Sequence, residues 1–227
     1  MEKSQSRAVF ITGGTGYVGQ RLAAELLGRG HRVRVLTRPA SVERVPAGAE
    51  PVVGDALDAA SYAASLTAGE TLVHLVGTPH PSPAKAAEFR RVDLPSILAG
   101  VSAAASARLA HLVYVSVAHP APMMHAYIEV RSAGESAITQ ARLTASILRP
   151  WYVLGPGHWW PVALLPAYAL CEVLPPTREA ARRLGLVTIG QMVRALASVV
   201  EHPPAMGQVR IVEVPEIRRG LSPPTST

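Results

Sequence analysis

A single cysteine, Cys171, excludes an internal disulfide and any metal site built on several thiolates, and suits a reducing cytosol. Lysine is almost missing: of the 22 basic residues only Lys3 and Lys85 are lysine, so no ε-amino group is available to any chemistry beyond residue 85. Aromatic residues amount to 5%, too few for a surface that stacks bases. The net charge of +6 comes from arginines in singles and pairs, such as Arg90-Arg91 and Arg182-Arg183, with no basic tract. No nucleic-acid partner is therefore expected. No apolar run reaches the roughly 18 residues that a membrane-spanning helix needs. The first residues turn glycine-rich too early for a signal-peptide apolar region, which makes the cytoplasm the expected location. Histidines at metal-ligand spacing and acidic clusters are both lacking, so no metal is expected.

With 48% hydrophobic residues in 227, the chain can build one full-sized core. Short β-branched apolar runs alternate with Ala- and Leu-rich stretches, the pattern of a parallel sheet covered by helices. Strands are predicted at Ala8–Thr12, Arg32–Thr37, Glu50–Val53, Thr71–Val76, His111–Ser116, Ala145–Leu148 and Val209–Val212. Helices are predicted at Tyr17–Arg29, Ala56–Leu66, Ala84–Ala107, His125–Arg142 and Ile189–Val200. The expected fold class is α/β: a doubly wound parallel sheet of Rossmann type with a short C-terminal cap. Residues 1–7 and 220–227 read as frayed ends, 8–157 as the main domain, and 158–219 as an apolar cap returning to it. The uncharged stretch Trp159 to Cys171 has three readings. It forms an apolar substrate pocket, a partner or membrane-surface patch near Arg178, Arg182 and Arg183, or plain core.

The strongest local signal runs from Ile11 to Gly19, where Gly13, Gly16 and Gly19 follow a strand and open a helix. Gly13 permits the sharp exit from the strand, Gly16 lets backbone approach a pyrophosphate, and Gly19 lets helix and sheet pack closely. The helix N-terminus then offers free N–H groups to the phosphates. Thr15, Tyr17 and Val18 belong to the same candidate contact surface. A NAD-preferring site places an acid at the end of the second strand to hold the ribose 2′-hydroxyl. Here Val35-Leu36-Thr37-Arg38 has none, and Arg38 suits a 2′-phosphate, so NADP(H) is preferred and NAD(H) is the second candidate.

Taken in order, TGGTGYVG, VLTR, VVGDALD, HLVYVSV and SILRPWYVLGPG resemble the extended and atypical short-chain dehydrogenase/reductases. The branch resembled holds the Rossmann-type accessory subunit of respiratory complex I, ubiquinone-biosynthesis relatives and nitrogen-metabolite-repression-type NADP-binding regulators. The likeness covers residues 8–157, with a weaker echo at Val187–Leu196. It implies that Asp55, with Ala56 beside it, caps the adenine ring. It further implies that Val76, Gly77 and Thr78 line the cofactor and that Pro150 to Val153 back the nicotinamide.

Active members of that family use a Tyr and a Lys four residues on, which share one helix face. The lysine binds the nicotinamide ribose and lowers the phenol pKa for proton exchange with a carbonyl. Here the pair is Tyr127 and Arg131, and a planar guanidinium is not equivalent to an ammonium. Ser116 stands in the region of the family's catalytic Ser/Thr, whose usual position falls on Val117 or Ala118; His119 is a further candidate proton donor. The Asn common at a helix start in the family is Asp93. Tyr127, Arg131 and Ser116 are thus the catalytic candidates, with Arg131 also counted as a cofactor contact. Two functions follow as expectations. One is an NADPH-dependent reductase or isomerase of a small apolar carbonyl or quinone-like compound. The other is a non-catalytic NADP-binding redox sensor or assembly subunit that works through a protein partner.

Overall fold

The computed structural model describes residues 6–157 and 175–221. Seven parallel strands form the main sheet: β1 (Ala8–Thr12), β2 (Arg32–Thr37), β3 (Glu50–Val53), β4 (Thr71–His74), β5 (His111–Val115), β6 (Ala145–Arg149) and, past two strands outside it, β9 (Val209–Glu213). Their spatial order is β3-β2-β1-β4-β5-β6-β9, so the winding reverses between β1 and β4. Side chains alternate strictly between the two faces. Val9, Ile11, Val73, Val113 and Leu148 pack under α1 (Tyr17–Gly28) and α6 (Ile189–Glu201). Phe10, Leu72, Leu112, Tyr114 and Ile147 pack on the other side with Ile97 of α3 (Leu94–Ser106) and Ile138 of α4 (His125–Gln140). Both faces are covered, which explains the continuous apolar strand sequences.

Three predicted elements change. The helix expected over Ala56–Leu66 is instead two 3₁₀ turns, Ala59–Ser61 and Ala63–Ser65. Asp58 Oδ1 accepts from Ala60 N at 3.0 Å and Ser61 Oγ donates to Asp58 O at 2.7 Å, local bonds that compete with a helical ladder. The long helix expected over Ala84–Ala107 is broken: α2 (Ala86–Glu88) runs through a π-helical turn, Phe89–Asp93, into α3. Pro95 has no N–H to give Arg91, so the regular ladder cannot pass that point, and the widened turn buries Phe89 and Asp93. Strand β4 stops at His74, short of Val76, although Leu75 N still donates to Thr12 O at 2.9 Å.

Four further strands and helices were not foreseen. Strands β7 (Tyr152–Leu154) and β8 (Leu186–Thr188) pair in parallel as a small second sheet, and α5 (Pro175–Arg183) precedes β8. Helix α7 (Val214–Arg219) closes the chain, with Ile217 in the core. At the ends, Ser6 Oγ donates to Gly30 O and Arg7 O accepts from Arg32 N at 2.9 Å, while Leu221 packs on the core. The apolar stretch Trp159 to Cys171 lies outside the described residues.

Candidate functional site

Three glycines of the first turn, Gly13, Gly14 and Gly19, are enforced by a close neighbour. Gly13 has φ +77°, and a Cβ there would lie 2.8 Å from Leu75 C. A Cβ on Gly19 would overlap Gly13 O and come within 2.6 Å of Gly14 Cα, so helix and turn close only without one. Gly14, which the motif reading passed over, would drive a Cβ to 2.6 Å from Val35 Cγ1. Gly16 is the N-cap of α1 and supplies no side-chain cap, and no acid stands in the first turn. The leading N–H groups are thus left for an anion.

Beneath the turn His74 is wholly buried, with Thr12 Oγ1 2.9 Å from Nδ1 and Ser96 Oγ 3.3 Å from Nε2. Ser96 commits its proton to Asp93 O, so Nε2 carries the imidazole hydrogen and Nδ1 accepts from Thr12. Burial, reinforced by the charge of Arg131, pushes the His74 pKa down to about 3. The ring is a neutral brace between β1, β4 and α3. Sequence gave no sign of it.

A cleft of about 310 Å³ opens where the winding reverses, at the C-terminal ends of the strands. Gly13, Thr15, Arg38, Asp55, Ala56, Val76 and Gly77 line it, joined by Leu36, Ser41, Leu57 and Val92. Seven of the sequence candidates therefore meet in one place. Arg38 is exposed at its edge and no carboxylate but Asp55 faces the cleft. Asp55 Oδ1 accepts from Leu57 N at 2.9 Å, fixing the loop that follows β3. A second guanidinium, Arg44, reaches the glycine turn and donates to Thr15 O at 3.2 Å. The remaining cofactor candidates are not in its lining. Val18 and Val153 pack on the core, Tyr17 carries the Arg21 guanidinium over its ring at 4.3 Å, and Pro150 O accepts from Ala118 N at 3.0 Å.

Of the three catalytic candidates, Arg131 and Tyr127 meet, with Arg131 Cζ 5.0 Å from the Tyr127 ring centre, while the Ser116 hydroxyl turns to Glu135. Tyr127 is half-buried on α4, its ring 4.8 Å from that of Phe89. Arg131, one turn on, is 4% exposed and points inward. Its Nη2 lies 2.7 Å from Asp93 Oδ1, Nη1 donates to Val115 O at 3.1 Å, and both reach Val76 O at 3.4 Å. Burial disfavours its charge, but Tyr127, Tyr114 and Asp93 more than offset this and its pKa is raised. Arg131 is thus a buried strut between Asp93 and the carbonyls of Val76 and Val115. Thr78 also faces inward, donating to Asp93 Oδ2 from N at 3.0 Å and from Oγ1 at 2.6 Å.

Ser116 is likewise committed elsewhere. Its hydroxyl donates to Glu135 Oε1 at 2.5 Å, and Glu135 is bound by Arg149 Nη2 at 2.5 Å. Arg149 continues to Glu213 at 3.1 Å, and His119 Nε2 stands 3.6 Å from Glu135. Val117 and Ala118, at the usual catalytic position, are buried apolar residues. Glu135 and Arg149 escaped the sequence reading because α4 and β6 meet only in three dimensions.

Reversed winding, a glycine turn at a helix N-terminus and a cleft over both define a dinucleotide-binding Rossmann protein. Residues 13–155 match the NAD(P)H-binding family, and the chain belongs to it, as an atypical member of the short-chain dehydrogenase/reductase type. The chain is 28% identical over 214 residues to ceramide reductase of Caulobacter vibrioides, an alignment spanning 93% of this chain and 65% of that protein. It is 27% identical over 168 residues to the 4-hydroxy-2-methyl-3-oxo-4-farnesyl-3,4-dihydroquinoline-1-oxide ketoreductase of Stigmatella aurantiaca, covering 64% of this chain and 50% of that protein. The chain thus spans between half and two thirds of the length of these relatives. Among solved structures it superposes on Bordetella bronchiseptica WbmG, in complex with NAD and UDP, with a TM-score of 0.66 and 19% identity over 94% of this chain and 74% of that one. This likeness is one of fold. Among the described residues, no helix is long and apolar enough to cross a membrane.

Proposed function

We propose that this protein binds NADPH and reduces a small apolar carbonyl compound, with Tyr127 as proton donor. The observation that carries the reading is the cleft itself. Gly13, Gly14 and Gly19, which leave no room for a Cβ, meet an uncapped helix N-terminus at one end, and Arg38 stands past the end of β2 with Asp55 the one carboxylate in the lining. These residues fit a dinucleotide. The glycine turn takes the pyrophosphate, Arg38 and Arg44 face the 2′-phosphate side, and Leu36, Ala56, Leu57 and Val92 offer an apolar bed to the adenine. The bound nicotinamide would supply hydride. The sequence likeness matches Tyr127, on α4, to the family's acid, and both relatives cited above are reductases by name. Their names also favour an apolar substrate, in keeping with the uncharged sequence Trp159 to Cys171.

A second reading has its own observation. With Arg131 turned to Asp93 and Ser116 to Glu135, only Tyr127 of the three catalytic candidates keeps an uncommitted polar end, as a non-catalytic NADP-binding sensor or assembly subunit would allow. NADPH oxidation across a panel of apolar ketones and quinones decides between them. Turnover that Tyr127→Phe abolishes supports the reductase; tight NADPH binding without turnover, together with a stable co-purifying protein, supports the sensor.

A further inference from the structure

Two departures from the family's pattern, Asp93 for Asn and Arg131 for Lys, lie far apart in sequence yet form the two halves of one buried ion pair. We propose that Asp93 and Arg131 act as a coupled positioning pair that holds the loop Val76-Gly77-Thr78 against the cofactor cleft, in place of a lysine that reaches the ribose. The inference rests on the cofactor-binding reading above.

Every residue of that loop engages the pair. Val76 presents its carbonyl to both Nη atoms of Arg131. Thr78 gives its N–H and its hydroxyl to Asp93 Oδ2. Gly77 contributes by having no side chain, since a Cβ there would overlap Arg131 Nη2 and lie 3.3 Å from Asp93 Oδ1. Val76 and Gly77 also line the cleft, so the pair acts on the cofactor through them.

The chemistry makes each partner depend on the other. Asp93 serves Arg131 with Oδ1 and Thr78 with Oδ2, whereas an asparagine has one acceptor oxygen and would turn an amide donor toward one of two donors. Arg131 reaches Asp93 and two carbonyls with one planar fork, which a lysine point charge cannot span. A guanidinium this buried also needs a full counter-charge. The π-helical turn is what brings Asp93 inward to provide it.

The test measures NADPH affinity of the full chain by titration calorimetry, beside circular dichroism showing each variant folded at the assay temperature. Asp93→Asn and Arg131→Lys are each expected to weaken binding at least about tenfold. The double variant is expected to bind more tightly than either single one, because the mismatch is removed. Gly77→Ala should weaken binding alone and add no further loss in an Arg131→Met background, where the blocking guanidinium is gone. A merely structural pair would lower the melting temperature and leave the affinity of folded protein unchanged, which would overturn the proposal. So would losses that simply multiply in the double variant. If the wild-type chain itself binds neither NADPH nor NADH, the cofactor reading falls together with the pair.

Discussion

Arg38 stands at the cleft edge with Thr15, Ser41 and Asp55 as its neighbours in the lining. A charge-assisted contact to a 2′-phosphate contributes about 1.5–3 kcal/mol. Arg38→Ala should therefore weaken NADPH roughly 10- to 100-fold and NADH only slightly; equal losses for both would remove the 2′-phosphate role. Ser116 makes the opposite case. Because its hydroxyl is spent on Glu135, Ser116→Ala should keep any turnover within a few-fold of wild type while Tyr127→Phe abolishes it. Loss of turnover in Ser116→Ala, measured by NADPH oxidation, would return Ser116 to the catalytic set. His74 carries a pH prediction. Its folded pKa of about 3 lies below the ordinary 6.5, so the unfolded chain takes up the proton first as pH falls. The stability it contributes is complete above pH 6.5 and declines toward pH 3, with a slope near 1.4 kcal/mol per pH unit. His111, also held at about 3 by burial, adds a second such slope. Urea unfolding between pH 7 and 5 should show His74→Gln flatter than wild type; parallel curves would reject the buried neutral state. At this scale the turn glycines and the place of Arg38 at the cleft edge were legible because they follow from local sequence. Arg131 was not, since the same residue at the same helix spacing reaches either a ribose or Asp93, depending on a turn that the sequence pattern does not reveal.

Elements were legible where burial dictated them and illegible where side chains bonded to their own backbone. The inner strands β1 and β2 match their predicted bounds because a parallel strand covered on both faces leaves only one apolar run to choose. The 59–65 segment failed as a helix through Asp58 and Ser61, residues whose short side chains satisfy nearby N–H and C=O groups without helical geometry. Helix α6 shows the favourable case. Thr188 and Gln191 form a capping box, with Gln191 N donating to Thr188 Oγ1 at 3.2 Å and Thr188 N to Gln191 Oε1 at 2.8 Å. Thr188→Ala should cost about 1 kcal/mol of unfolding free energy in urea. Because the box lies on the covering layer and not in the cleft lining, NADPH affinity should stay unchanged. A large affinity loss would mean that α6 positions the cofactor as well as the core.

At the scale of the whole molecule, the cleft is assembled from four strand ends that sequence order keeps apart: β1 and β2 with β3 on one side of the reversal, β4 on the other. The two walls are joined from below by Asp93, Arg131 and His74, which connect β1, β4, β5, α3 and α4. A dinucleotide lying across the reversal therefore binds the assembled sheet and has no counterpart site in the unfolded chain. Linkage then fixes the size of the effect: ligand at 100 times its Kd stabilises by about 2.7 kcal/mol. For a chain of 227 residues this corresponds to a rise in Tm of about 5–10 °C. Thermal melts with NADPH and NADH at equal concentration should give that rise with NADPH and a smaller one with NADH. Equal shifts would remove the preference assigned to Arg38 but keep the cleft; no shift with either would remove the cleft as a dinucleotide site. Because the pair of Asp93 and Arg131 ties the walls together, Arg131→Lys should reduce the NADPH-induced rise in Tm by more than it lowers the Tm of the free protein. A drop confined to the free protein would separate holding the sheet from shaping the site.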